Sequence, residues 1–361
     1  MSDARAAIDA ETAFVGTVPP EGADKLDEAG LTQWMESNVD GFRGPIELTK
    51  FKGGQSNPTY RIVSPSGRYV LRRKPFGPLL PSAHAVDREY KVQAGLYKTG
   101  FPVARQYGLC TDDGVVGSWF YIMAMVDGRT IWNGAMPDAS PDERRATYVA
   151  MIETLARLHN TPIADAELED FGKPGNYFGR QVERWTKQYK LAETETMAEM
   201  ERLIEWLPAT LPEQTRTSVV HGDYRIDNMI YAKDRPEVLA VLDWELSTLG
   251  DPLADFTYVA LAWVTDNGGR SGVADLDRKA LGIPELEEAA EIYCRATDRD
   301  GVPDMNWYFA YNFFRLAGIM QGIKKRVIDG TASSAHAKAM SERVNPLAER
   351  AWGFAKAAGA A

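Results

Sequence analysis

The 361-residue chain is 44% hydrophobic and 25% charged, which excludes a disordered polymer, and its length favours two lobes because single cores rarely grow past roughly 250–300 residues. Its formal net charge of −10 argues against nucleic acid as a partner, and no apolar run nears the roughly 18 residues of a membrane span. The opening MSDARAAIDAETAF has no apolar signal core, and Cys110 and Cys294 are too few and too far apart for a metal or disulfide pattern, so a cytoplasmic protein is expected.

Residues 1–25 read as a loosely ordered arm, followed by a short helix from Lys25 to Asn38 with Leu31, Trp34 and Met35 on one face. From Ile46 the period changes to two. ELTKFKGGQSNPTYRIV and GRYVLRRKP alternate, are rich in β-branched and aromatic residues, and flank a turn at Ser64-Pro65-Ser66-Gly67. Gly53, Gly54, Ser56 and Asn57 fill the loop between the first two strands. Such a loop is ordinarily a simple turn, but backbone amides free of bulky side chains can also approach a phosphate. Alternation places Val70 and Arg72 on one face of the third strand and Arg73 on the other.

Ser82 is placed to cap a helix that runs to Lys98 and stops at Gly100, in which Glu89, Val92 and Leu96 share a face. Trp119 to Met125 forms an apolar strand broken at Val126-Asp127-Gly128. From Ser140 onward the pattern is helical, first over Ala146 to His159 and then near 176–207, 252–265, 284–298, 303–328 and 335–356. Asp251 before Pro252 reads as a helix N-cap, and Asp255 one turn later as a group that pins a loop or favours the helix dipole.

The densest chemistry lies in VVHGDYRIDNMIYAKDRPEVLAVLDWELSTLGDPLAD, from Val219 to Asp255. Asp223 follows His221-Gly222, Asn228 comes five residues later, and Asp243 ends the apolar run Val238–Leu242. Phosphoryl transfer needs a carboxylate to orient the acceptor hydroxyl, an amide oxygen and a second carboxylate for magnesium, and cations for the phosphates. H-G-D-x-x-x-x-N with a following strand that ends in Asp resembles the aminoglycoside phosphotransferase family, whose loop parallels H-R-D-x-x-x-x-N and D-F-G of protein kinases. Within it, HGDYRIDNMI and LDWELSTLGDPLAD are similar to the kinase-like domain fused to acyl-CoA dehydrogenases and to its free-standing bacterial relatives. The likeness runs from about Leu31 to about Val327. Gly222 replaces the kinase arginine, which argues against control by a phosphorylated activation loop.

The resemblance implies an α+β, protein-kinase-like pair of lobes. An arm and helix at 1–40 precede a small antiparallel nucleotide-binding lobe at 41–125 and a helical catalytic lobe at 126–361, with a hinge near Met125. It implies ATP and Mg²⁺ as cofactors and a small-molecule hydroxyl as acceptor. Asp223 would be the base, and Asn228 and Asp243 the metal ligands. Gly53, Gly54, Ser56, Asn57, Arg72, Glu89, Met123, Ala124 and Val126 would surround the nucleotide. Arg72, in place of the usual lysine, would pair with Glu89, and its replacement is expected to spare the fold. His221 is expected to secure the loop, and His159 to serve packing and hydrogen bonding.

Arg184, Asp227, Tyr308, Tyr311, Asn312 and Arg315 are candidates for the acceptor site. The last four share one helix face, a pattern that suits a core as well as a pocket. Arg225 and Asp227 read equally as an ion pair holding the loop. A hydroxy acid or hydroxyacyl-CoA is the expected acceptor, with an aminoglycoside or choline-like substrate as the alternative. A nucleotide-binding regulator without catalysis is the competing class.

Overall fold

The computed structural model describes residues 16–52, 57–76, 84–268, 270–331 and 337–361. Six antiparallel strands form the small lobe in the order β1-β2-β3-β4-β6-β5, comprising Thr17–Val18, Glu47–Phe51, Thr59–Ser64, Gly67–Arg73, Phe120–Ala124 and Gln106–Cys110. The strand β1 comes from the stretch expected to be an arm, and pairs Thr17 with Phe51. Helix α1, Glu28–Asn38, starts later than expected because Asp27 caps it, accepting from the amides of Ala29 and Gly30. Its Leu31 and Met35 pack with Tyr60, Ile62, Tyr69, Leu71 and Ile122 on one sheet face. The opposite face carries Val70, Tyr121 and Met123 against Val86 of helix α2, Val86–Lys98. The predicted cap of α2, Ser82, lies outside the described residues, as do Gly53, Gly54 and Ser56.

The large lobe is built on α3 (Pro141–Asn160), α4 (Tyr177–Ala192), α5 (Ala198–Ala209), α6 (Leu253–Ala260), α7 (Leu286–Thr297), α8 (Asn306–Ile328) and α9 (Val344–Ala357). The helical stretch expected at 176–207 is thus two helices, separated by residues 193–197. The long aromatic α8 packs on α9 and α4, and α3 packs on α7. Four short strands in antiparallel pairs, β7 (Ser218–Val220) with β10 (Thr248–Gly250) and β8 (Met229–Tyr231) with β9 (Val238–Val241), carry the two loops of the motif. This pairing folds 221–228 against 242–247, so groups separated by some twenty residues of chain become neighbours. No helix among the described residues is long and apolar enough to cross a membrane.

Candidate active site

Strand alternation delivers Arg72 to the face of β4 that looks toward the large lobe, and Arg73 to the other. Arg73 is buried, with its guanidinium on the Tyr60 hydroxyl and over the Phe76 ring. Arg72 Nε lies 2.7 Å from Oε2 of Glu89, an ion pair whose N–H is not aligned for a hydrogen bond. Its Nη2 donates to Oδ1 of Asp243 at 2.9 Å and stands 3.6 Å from Oε2 of Glu245. Burial alone would weaken the Arg72 charge, but Glu89, Asp243 and Glu245 hold the guanidinium charged beyond its ordinary range. Glu89 also accepts from Asn57 Nδ2 and from the Tyr121 hydroxyl. Burial outweighs these partners and pushes its carboxyl up from the usual carboxylate range.

The 221–228 loop is held by Asp255, whose carboxylate accepts the amides of His221 at 2.6 Å and Gly222 at 2.8 Å. Burial would push Asp255 up, but the contacts with His159, His221 and the Gly222 amide hold it below the ordinary carboxylate value. His159 contacts Asp255 and the Tyr293 hydroxyl, the packing and hydrogen-bonding role expected of it, and burial lowers its basicity. His221 receives the Asp223 amide on Nδ1 and meets the Leu242 carbonyl with Nε2, which fixes the neutral Nε2–H tautomer and ties the two loops together. Gly222 has φ +85, and a Cβ there would lie 2.8 Å from the Leu246 carbonyl oxygen. That approach leaves no room for an arginine.

Asp223 presents a half-buried carboxylate. Its Oδ2 accepts from Asn228 Nδ2 at 3.0 Å and its Oδ1 from the Tyr258 hydroxyl at 2.8 Å. The same amide group of Asn228 also bonds the Asp223 carbonyl, leaving the amide oxygen as an acceptor. Asp243 sits in the left-handed region at φ 67, an expensive place for a non-glycine residue and one met at functional sites. The following Trp244 anchors it, buried, with Nε1 on the Val241 carbonyl and its ring 4.6 Å from that of His221. The Leu242 amide bonds the Asn228 carbonyl, so Asp243 and Asn228 are brought to adjacent strand ends. One carboxylate and one amide oxygen suit Mg²⁺ held through nucleotide phosphates better than a closed protein cage. Among the described residues, no group of three or more His, Cys, Asp or Glu gathers as a metal site.

The model of the APH phosphotransferase enzyme family matches residues 47–292. The chain belongs to the APH phosphotransferase family. A Ralstonia eutropha crystal structure that bears a provisional aminoglycoside phosphotransferase name is 47% identical, covers 92% of this chain and 99% of its own, and superposes with a TM-score of 0.84. Mouse acyl-CoA dehydrogenase family member 10 is 46% identical over 314 residues, 86% of this chain and 29% of its own length. Human acyl-CoA dehydrogenase family member 11 is 39% identical over 338 residues, 90% of this chain and 42% of its own. The chain therefore spans less than half the length of these curated relatives. The kinase-like fold extends to a hygromycin-complexed aminoglycoside phosphotransferase at 13% identity and TM-score 0.58.

As an APH-family phosphotransferase the chain brings Arg72, Glu89, Asn57, Asp223, Asn228 and Asp243 together across the cleft between its lobes. Met123 lines the sheet face, and the Ala124 amide donates to the Arg105 carbonyl. Val126, past the strand end, makes no backbone–backbone hydrogen bond among the described residues. Arg225 lies 3.4 Å from both Asp223 Oδ1 and Asp227 Oδ2, and burial pushes Asp227 up against the pull of Arg225.

The aromatic face of α8 is packed. Tyr308, Tyr311 and Asn312 are buried: the tyrosines pack on Phe178 and Trp307, and Asn312 donates to Thr257. Of the two readings open for this face, core or pocket, the contacts seen are with α4, α6 and the 221–228 loop. Arg315, on the same face, is buried and donates to the Gly222 carbonyl at 2.6 Å. Arg184 is exposed over the Trp185 ring. Two functional neighbours were missed in the sequence, Tyr258 and Glu245. Tyr258 stands three residues after Asp255, and that helical spacing toward the loop was the available signal.

Proposed function

We propose that this phosphotransferase moves the γ-phosphoryl group of ATP, with Mg²⁺, to the hydroxyl of a small hydroxy acid or hydroxyacyl thioester. The observation that carries the reading is the Asp223 carboxylate, held by Asn228 and Tyr258 opposite the Arg72–Asp243 pair. Asp223 orients the acceptor hydroxyl and takes its proton as the acceptor oxygen bonds to phosphorus and the bond to the bridging oxygen breaks, releasing ADP. Arg72, already charged and held by Glu89, meets phosphate oxygens through its guanidinium fork. Asp243 and Asn228 would hold the metal, which supplies charge neutralisation at the phosphates when bound.

The acceptor class rests on the acyl-CoA dehydrogenase names of the relatives and on chemistry. Phosphorylating a hydroxyl on an acyl chain turns hydroxide into a far better leaving group. In this reading exposed Arg184 meets an anionic head, whereas buried Arg315 supports the loop through the Gly222 carbonyl. A panel of ATP-dependent assays with hydroxyacyl-CoAs, free hydroxy acids, choline and kanamycin, each with and without Asp223→Ala, tests the reading. Turnover with an acyl acceptor that Asp223→Ala abolishes supports it. Turnover of kanamycin alone would replace the acceptor class, and wild-type turnover by Asp223→Ala would remove the base.

A further inference from the structure

The helix α6 begins at a fixed point: Asp251 accepts the Leu253 amide, and Leu253 to Tyr258 are all buried. Asp255 and Tyr258, three residues apart, project toward the catalytic loop. Asp255 takes the amides of His221 and Gly222, while the Tyr258 hydroxyl reaches the next residue and donates to Asp223 Oδ1 at 2.8 Å. The Tyr258 ring is fixed in turn by the Arg315 guanidinium, 5.0 Å from its centroid, which also binds the Gly222 carbonyl. Two adjacent groups of one rigid helix thus fix the backbone and the reacting carboxylate of the loop.

We propose that Tyr258 is a positioning residue for phosphoryl transfer, setting the plane of the Asp223 carboxylate through its hydroxyl. This rests on the reading of Asp223 as the base. With Asn228 on Oδ2 and Tyr258 on Oδ1, where Arg225 Nε also stands 3.4 Å away, the carboxylate plane is set from both sides, and each oxygen keeps a lone pair for an acceptor hydroxyl. A phenol that merely filled the acceptor's place would need to swing away during turnover. The buried ring, stacked under Arg315 on a capped helix, has no such freedom.

The test measures Mg-dependent ATP hydrolysis, with water as acceptor, for the wild type, Tyr258→Phe, Asp223→Asn and the double variant. Tyr258→Phe keeps the ring and its stacking, and an unchanged thermal transition shows that the fold is intact. Loss of a hydrogen bond to a charged group is expected to lower kcat by about 10- to 100-fold, with KM for MgATP within about twofold. In the Asp223→Asn background the same change should add almost nothing, because the hydroxyl acts only through that carboxylate. Wild-type kcat in Tyr258→Phe, faster hydrolysis, or losses that add in the double variant would each overturn the proposal. Full turnover by Asp223→Asn would instead bring down the reading of Asp223 itself.

Discussion

Replacing Arg72 with methionine removes a cation of similar length from between three carboxylates, and the structure sets the size of the effect. The partner that matters is Glu89, whose side chain is 1% exposed; Asp243 is 37% exposed, so its pair with Arg72 adds at most about 1 kcal/mol. Stranding a buried carboxylate costs about 3–5 kcal/mol, and the Asn57 and Tyr121 donors that remain place the expected loss near the lower end. The sign of the pH dependence follows from the direction of the Glu89 shift. Its folded carboxyl already binds protons more tightly than a free one, and loss of Arg72 strengthens that preference. Stability therefore falls as pH rises from the ordinary carboxylate value through the folded value, by up to about 1.4 kcal/mol per unit, and is flat above it. Urea midpoints measured from pH 5.5 to 8 should show the deficit of Arg72→Met largest at pH 8 and narrowing toward acid. This departs from the expectation that Arg72 is dispensable to the fold. Equal midpoints at pH 8, or a deficit independent of pH, would refute the reasoning.

Gly222→Ala should cost about 2–3 kcal/mol, from a positive φ and a Cβ pressed on the Leu246 carbonyl, and should lower kcat at least tenfold; a wild-type Tm and rate would contradict it. Asp255→Asn turns an acceptor of two loop amides into a group that opposes one of them, for a loss of about 3 kcal/mol by urea unfolding. Because the folded carboxyl of Asp255 lies below its ordinary value, that contribution is present at neutral pH and is lost as pH falls through the folded value, so the two curves should converge only below about pH 4. Glu89, Asp243 and Glu245 surround the guanidinium of Arg72, so removing Mg²⁺ with EDTA should weaken ATP binding itself, by at least tenfold in titration calorimetry, and not turnover alone.

Much of the candidate site's grouping was legible because its parts are local. His221 to Asn228 is one loop, Asp243 ends one apolar strand, and two-residue alternation sufficed to separate Arg72 from Arg73. The choice of Glu89 over Asp87 needed the helix face as well, and the structure sets Glu89 on Arg72 while Asp87 stands 3.8 Å from Lys74. What escaped depends on tertiary approach. The amphipathic face of α8 was visible, but its spacing is the same whether it meets a ligand or a neighbouring helix, and Tyr308 and Asn312 meet helices. The break at 193–197 and the short β1 are decided by packing and pairing with distant strands, which the local pattern does not encode.

The arginine at position 72 has a consequence for how the lobes communicate. A lysine ammonium is a point charge, whereas the guanidinium sets Nε beside Glu89 and donates Nη2 to Asp243 at the same time. Glu89 belongs to the small lobe and Asp243 to the large one, so a single side chain ties the lobes across the cleft. On the proposed function, nucleotide phosphate would compete for Arg72 and the metal for Asp243, and the direct interlobe ion pair would give way. Glu89 keeps its hold on Arg72 through that exchange, because its own position is fixed by Asn57 and Tyr121 on the small-lobe side. The cation would thus be presented to the cleft with or without nucleotide, while the contacts that would yield, to Asp243 and Glu245, are more exposed than the one to Glu89.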